Sequence, residues 1–242
     1  AGVFGTPIAG VLFAFELDRK IKLDVNGFIP ILLVSFLAHF SCQFFGVGHT
    51  VYVVTELPDF SFENSVFVAL AAIAFGLTAF VFSLSKKYLT NGIKQVIPNS
   101  IIRISLGGLI IAVVALTFNL KAYLGLGIPV IENAFLNESG MEVFILKVIL
   151  TVFTLAVGFK GGEATPLFFI GATLGSALSL YLPLPLSFLA ALGFIAVFAG
   201  ATNTPLACAA MGIEMFGVAG GLWYLFVCVI AFYTSGKTTV YS

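Results

Sequence analysis

Gly158-Phe159-Lys160-Gly161-Gly162-Glu163-Ala164-Thr165-Pro166 runs directly into Leu167-Phe168-Phe169-Ile170-Gly171-Ala172-Thr173-Leu174-Gly175. An acid therefore stands at the mouth of an apolar segment with small residues at helical spacing. Pro166 suits the first turn of a helix, where a missing N–H costs nothing. The N–H groups of Glu163, Ala164 and Thr165 then lack carbonyl partners in their own helix and sit at the positive end of its dipole. Such a terminus attracts anions, and Gly161 and Gly162 let a ligand approach the backbone. The same spot carries a carboxylic acid, and an anion site beside a protonatable group is what anion–proton coupling needs. In a soluble protein the pattern reads as a helix cap, with Glu163 bonding its own backbone. Within a membrane an ionisable side chain is costly enough to mark function.

The composition places that acid in a membrane. Of 242 residues, 60% are hydrophobic and 9% charged, with mean hydropathy +1.13. Soluble domains carry about 25% charged residues. Phe occurs 27 times and Gly 25 times, and Gly is frequent in spanning helices. The apolar runs are unbroken, which excludes the alternating strands of a β-barrel and makes the chain an all-α polytopic membrane protein. Eleven acids balance eleven bases, so no bulk charge recommends a nucleic acid partner. Cys42, Cys208 and Cys228 lie far apart in apolar runs, which argues against a disulfide framework or a metal knuckle. His39 and His49 lack acid or Cys neighbours at ligand spacing, so no metal and no cofactor is expected. No nucleophile elbow, P-loop or His–carboxylate metal pair supports an enzyme.

Apolar runs lie near 8–15, 28–47, 66–84, 101–118, 143–158, 166–182, 186–199 and 205–235. A full crossing needs about 20 residues, which 28–47 and 66–84 satisfy. The short runs 8–15 and 186–199 are fenced by Pro or Gly, as in the broken helices that line transporter sites. Lys86, Lys87, Lys94 and Arg103 place 85–103 on the cytoplasmic side, and Arg19, Lys20 and Lys22 do the same for 18–24. The acidic stretches 48–64 and 119–142 then face outward.

A repeat spans the chain. Ala1-Gly2, Thr6-Pro7-Ile8-Ala9 and Glu16 match Ala199-Gly200, Thr204-Pro205-Leu206-Ala207 and Glu214, both as A-G-x3-T-P-x-A-x6-E. Thr offers a cap, Pro fits the first turn, and small residues allow close packing. Glu16 and Glu214 each arrive at a helix end, against the dipole, so each is expected to reach headgroups, water or a partner. Two copies of one unit suggest a duplicated transporter.

Phe4-Gly5-Thr6-Pro7-Ile8-Ala9-Gly10-Val11-Leu12-Phe13-Ala14-Phe15-Glu16, Gly161-Gly162-Glu163-Ala164-Thr165-Pro166, Asn203-Thr204-Pro205-Leu206-Ala207 and Lys237-Thr238-Thr239-Val240-Tyr241-Ser242 stand in the order seen in the CLC family. These are chloride channels and anion/proton antiporters. The resemblance covers essentially the whole chain. It implies an inverted-repeat helical fold with short, broken and re-entrant helices, with residues 1–47 ending a first repeat and 48–242 forming the second. It further implies a homodimer, through the helices starting at Pro7 and Pro205, with one anion pathway per subunit. By position, Gly161, Gly162, Glu163, Ala164 and Thr165 occupy the family's second-half anion-binding loop. Tyr241 matches the tyrosine whose hydroxyl closes the site from the cytoplasmic side. The family's gating glutamate and first-half anion loop have no counterpart here, so the resemblance implies the later part of a longer membrane domain.

Chloride-handling members usually read G-G-x-F-x-P in this loop. Glu163, Ala164 and Thr165 instead resemble the bacterial fluoride/proton antiporter branch. Protonated, Glu163 donates a hydrogen bond to a small hard anion; ionised, it repels one, which links the two occupancies. The expectation is a multi-pass protein of the bacterial inner membrane that exchanges fluoride for protons. The alternatives are a passive CLC-type chloride or fluoride channel and a chloride/proton antiporter.

Overall fold

A computed structural model describes residues 1–17 and 25–241; the charged stretch 18–24 lies outside them. The described residues form ten α-helices joined by loops and two short 3-10 turns. These are α1 (Pro7–Leu17), α2 (Val25–Phe44), α3 (Phe62–Val96), α4 (Ser100–Thr117), α5 (Ile128–Ala134), α6 (Met141–Ala156), α7 (Ala164–Leu178), α8 (Leu186–Thr202), α9 (Pro205–Phe216) and α10 (Gly221–Ser235). Four stretches are long and apolar enough to cross a membrane: Gly27–Phe44, Phe62–Val96, Ser100–Thr117 and Val218–Ser235. Helices α1, α7, α8 and α9 are apolar but shorter.

Local chemistry sets several boundaries. Ser61 Oγ accepts from the Asn64 amide at the start of α3. Asn99 Oδ1 accepts from Ile101 and Ile102 at the start of α4. Asn203 ends α8 in the left-handed region at φ 58°, a conformation Asn tolerates better than most residues. Gly217 ends α9 at φ 101°, so the apolar run 205–235 is two helices rather than one. The stretch expected as the outward loop 119–142 contains α5.

The centre of the fold is α8, buried from Ser187 to Thr202; a helix apolar on every side belongs inside. It packs on α7 through bare backbone. A Cβ on Gly171 would lie 2.1 Å from the Gly193 carbonyl, and one on Gly193 would lie 2.1 Å from the Gly171 carbonyl. Small residues permit this approach where no water-driven force holds helices together. Phe168 and Phe194 stack beside the crossing, with ring centroids 4.1 Å apart and 7° between planes. The start of α7 is thereby seated against α8.

The two repeat copies become α1 and α9, packed antiparallel. Glu16 Oε1 and Oε2 accept from the amides of Leu206 (3.0 Å) and Ala207 (2.6 Å). Glu214 accepts likewise from Ile8 (2.9 Å) and Ala9 (2.8 Å). Each acid is misplaced on its own dipole but stands at the positive end of its partner's, which answers where these acids go. The expected Thr cap is absent at α9: Thr204 Oγ1 lies 2.6 Å from Thr202 Oγ1 instead. Ala9 and Ala207 are buried within the chain, whereas the equivalent residues Ile8 and Leu206 are both 53% exposed.

Candidate functional site

At the head of α7, Leu167 N–H donates to the Glu163 carbonyl, the first bond of the helix. The amides of Ala164 and Thr165 precede it, and Pro166 has none, so no carbonyl of their own helix takes those two donors. Glu163 occupies the N-cap position but makes no side-chain cap bond, which rejects the helix-cap reading. Its carboxylate turns to α3. Lys86 Nζ stands 2.5 Å from Glu163 Oε1, the one salt bridge among the described residues, with side chains 22% and 16% exposed. The second oxygen, Oε2, is buried without a hydrogen-bond partner.

Lys86 also donates to the Val240 carbonyl at 2.7 Å, so one ammonium ties α3, the head of α7 and the segment carrying Tyr241. Read as a loop charge in the sequence, Lys86 belongs to α3, which continues to Val96. Arg103 also reads as a loop charge in the sequence. It is buried in the first turn of α4, with Nε donating to the Val157 carbonyl and Nη1 to that of Ile97. Lys147 lies in the apolar run 143–158. It is 2% exposed, donates to the carbonyls of Tyr123 and Gly125, and lies 4.7 Å from the Phe169 ring centroid. A lone base inside an apolar run is the signal that would have found Lys147; no sequence signal pairs Lys86 with Glu163.

The loop residues surround the α7 start but face different spaces. Gly161, Gly162 and Pro166 line a cavity of about 270 Å³ with Lys147 and Lys160. A Cβ on either glycine would meet nothing within 4 Å, so the backbone there is open to approach. Ala164 faces an apolar cavity of about 170 Å³ between α1 and α9. Thr165 lines a smaller one, about 100 Å³, with His49, Tyr52 and Phe168. Tyr241 opens on a polar cavity of about 620 Å³ with Glu16, Asn203, Lys237 and Thr239. Tyr241 is 56% exposed, and its amide donates to Thr239 Oγ1 at 3.3 Å. Partial burial and then the nearby Glu163 charge raise the phenol above its ordinary range. Gly161 to Thr165 therefore share one helix start, while the Tyr241 side chain opens on a separate cavity and approaches that start through Val240, whose carbonyl accepts from Lys86. Among the described residues, no group of three or more His, Cys, Asp or Glu has metal-binding proximity.

The described residues thus form a bundle of short and long apolar helices, with an acid and two amides that lack a helical carbonyl at one helix start. The sequence profile described as voltage gated chloride channel matches residues 1–236, and the chain belongs to that family, the CLC proteins. A curated relative from Pseudomonas syringae pv. tomato, named chloride/fluoride channel protein, is 40% identical over 247 residues, covering all of this chain and 55% of that one. The chain spans just over half the length of the curated relatives it matches. Among solved structures, a CLC-type fluoride/proton antiporter superposes with TM-score 0.92 at 30% identity, over 98% of this chain and 60% of that one. A slow cyanobacterial Cl-/H+ antiporter, 19% identical with TM-score 0.79 over the same shares, has the same fold.

Proposed function

We propose that the protein exchanges fluoride for protons across a bacterial inner membrane. The observation that carries this reading is Glu163: a titratable carboxylate with one unpaired buried oxygen, beside two amides with no helical partner. A passive pore gains nothing from a proton-labile acid at that point. The 30% identical relative solved as a fluoride/proton antiporter supports the same reading. The anion approaches the backbone of Gly161, Gly162, Glu163, Ala164 and Thr165 where the helix start is positive. The Tyr241 phenol supplies one neutral donor from the other side, weak enough for the ion to leave. Residues 1–47 close a first repeat and 48–242 form the second, and the reciprocal α1–α9 pair supports that division. A homodimer forms through α1 and α9, with the outward-facing Ile8 and Leu206 in contact with the second subunit.

Flux measured on the whole protein in proteoliposomes tests the exchange. A pH gradient is expected to drive fluoride uphill, and Glu163→Gln is expected to conduct fluoride without moving protons. Gln keeps the shape and a donor but does not titrate. Downhill fluoride flux that a proton gradient cannot reverse would establish the channel reading carried by the name of the Pseudomonas relative.

A further inference from the structure

We infer that Lys86 is the counter-cation for which Glu163 and the transported anion compete: the anion takes the carboxylate's place on the ammonium while Glu163 carries a proton. The inference rests on the exchange reading and names the residue that links its two ions.

Three observations carry it. The ammonium is held independently of the acid, because the Val240 carbonyl accepts a second of its three protons at 2.7 Å. It therefore stays in place when Glu163 leaves. The carboxylate is held lightly: only Oε1 has a partner, and buried Oε2 has none. The third is the helix start beside the acid, where the two leading amides of α7 are unclaimed by their helix. A carboxylate meant to stay is satisfied on both oxygens, as Glu16 and Glu214 are.

The charges balance. With the acid on Lys86, one positive and one negative charge cancel. On exchange, the Nζ–H···Oε1 hydrogen bond breaks, an Nζ–H···anion bond forms, and Glu163 binds the one proton that enters from solution as the co-transported ion. Lysine and anion then cancel, and the acid is neutral. Neither state leaves a net charge in a medium where an isolated one is costly. Either intermediate does: anion without proton gives two negatives on one cation, and proton without anion leaves Lys86 unpaired. The coupling follows from that penalty. Other titratable groups on the adjoining elements are Lys160 and Lys147 on the loop cavity, Tyr241, Glu16 and Lys237 on the C-terminal cavity, and Cys208 on α9.

The test uses the whole protein with sodium fluoride as probe. Fluoride and proton fluxes are measured for the wild type, Glu163→Gln, Lys86→Met and Lys86→Arg. Lys86→Met is expected to raise half-saturating fluoride on the order of tenfold, the loss of one charged hydrogen bond, and to lower the proton-to-fluoride ratio. Lys86→Arg is expected to recover part of both. A brace of α3 alone would lose turnover and thermal stability with half-saturation and ratio unchanged, and that outcome overturns the inference. Should the Lys86 variants not fold, infrared difference spectra of the wild type decide. Adding fluoride must produce a protonated carboxyl band that Glu163→Gln lacks, and its absence also overturns the inference. A wild type that shows no proton-coupled flux sinks the exchange reading itself. Coupling lost in Glu163→Gln but untouched by Lys86→Met sinks only the role of Lys86.

Discussion

Two regions of this molecule put an acid at a helix N-terminus, and they use it in opposite ways. Between α1 and α9, Glu16 and Glu214 each bring both oxygens to two amides of the neighbouring helix. Nothing is left over. At α7, Glu163 turns from the amides of its own helix, gives one oxygen to Lys86 and leaves the other orphaned in a buried position. The first arrangement is a clasp that gains by permanence. The second is poised, because a group with one partner and one unmet need has somewhere to go. The same residue type at the same kind of terminus thus differs in how many of its oxygens are met, and the exchange we propose rests on that difference.

Several measurements would break or sharpen that contrast. The largest stability effect is expected from Glu16→Ala combined with Glu214→Ala, which removes four charge-assisted hydrogen bonds from a helix pair. At about 1.5–3 kcal/mol for a hydrogen bond to a charged group, and with water replacing some of them, a loss of about 3–6 kcal/mol is expected from thermal unfolding in detergent. Glu214→Gln alone keeps one acceptor oxygen and should cost about 1–2 kcal/mol. Equal stability in that variant would mean the clasp is ornamental. Glu163→Gln is expected to reverse the balance, costing less stability than the double clasp variant because the Gln carbonyl can still accept from Lys86, while abolishing proton movement. A large stability loss there would make Glu163 structural and erase the contrast. The smallest effect is expected from Tyr241→Phe, which removes a single neutral donor. Anion affinity by calorimetry should fall by roughly tenfold with the fold intact; unchanged affinity would leave Tyr241 as an interfacial residue at the edge of the bilayer.

Much of the fold was legible because it depends on local pattern. Unbroken apolar runs located α2, α3 and α4, and Thr-Pro followed by small residues marked the starts of α1 and α9. The misses share a cause. Hydropathy alone carried the run 205–235 past Gly217, although a glycine at φ 101° ends a helix without changing the apolar count. Residues 85–96 read as a polar loop, yet they continue α3, because a helix can carry its polar end beyond the apolar layer. Lys86, Arg103 and Lys147 look like solvent charges in one dimension. In the fold each ends on backbone carbonyls.

By itself, the sequence determined the membrane environment, the duplicated Thr-Pro unit, the family, and the acid at the head of α7. Those are properties of composition and spacing, which short-range chemistry reads directly. Only the tertiary structure decided the partners. The antiparallel packing of α1 on α9 turned two acids opposed to their own dipoles into caps on each other's helices. The approach of α3 to α7 gave Glu163 its cation from 77 residues away. Charge pairing acts through space over a few ångströms, and which charges come that close is a matter of how helices cross, not of their order along the chain.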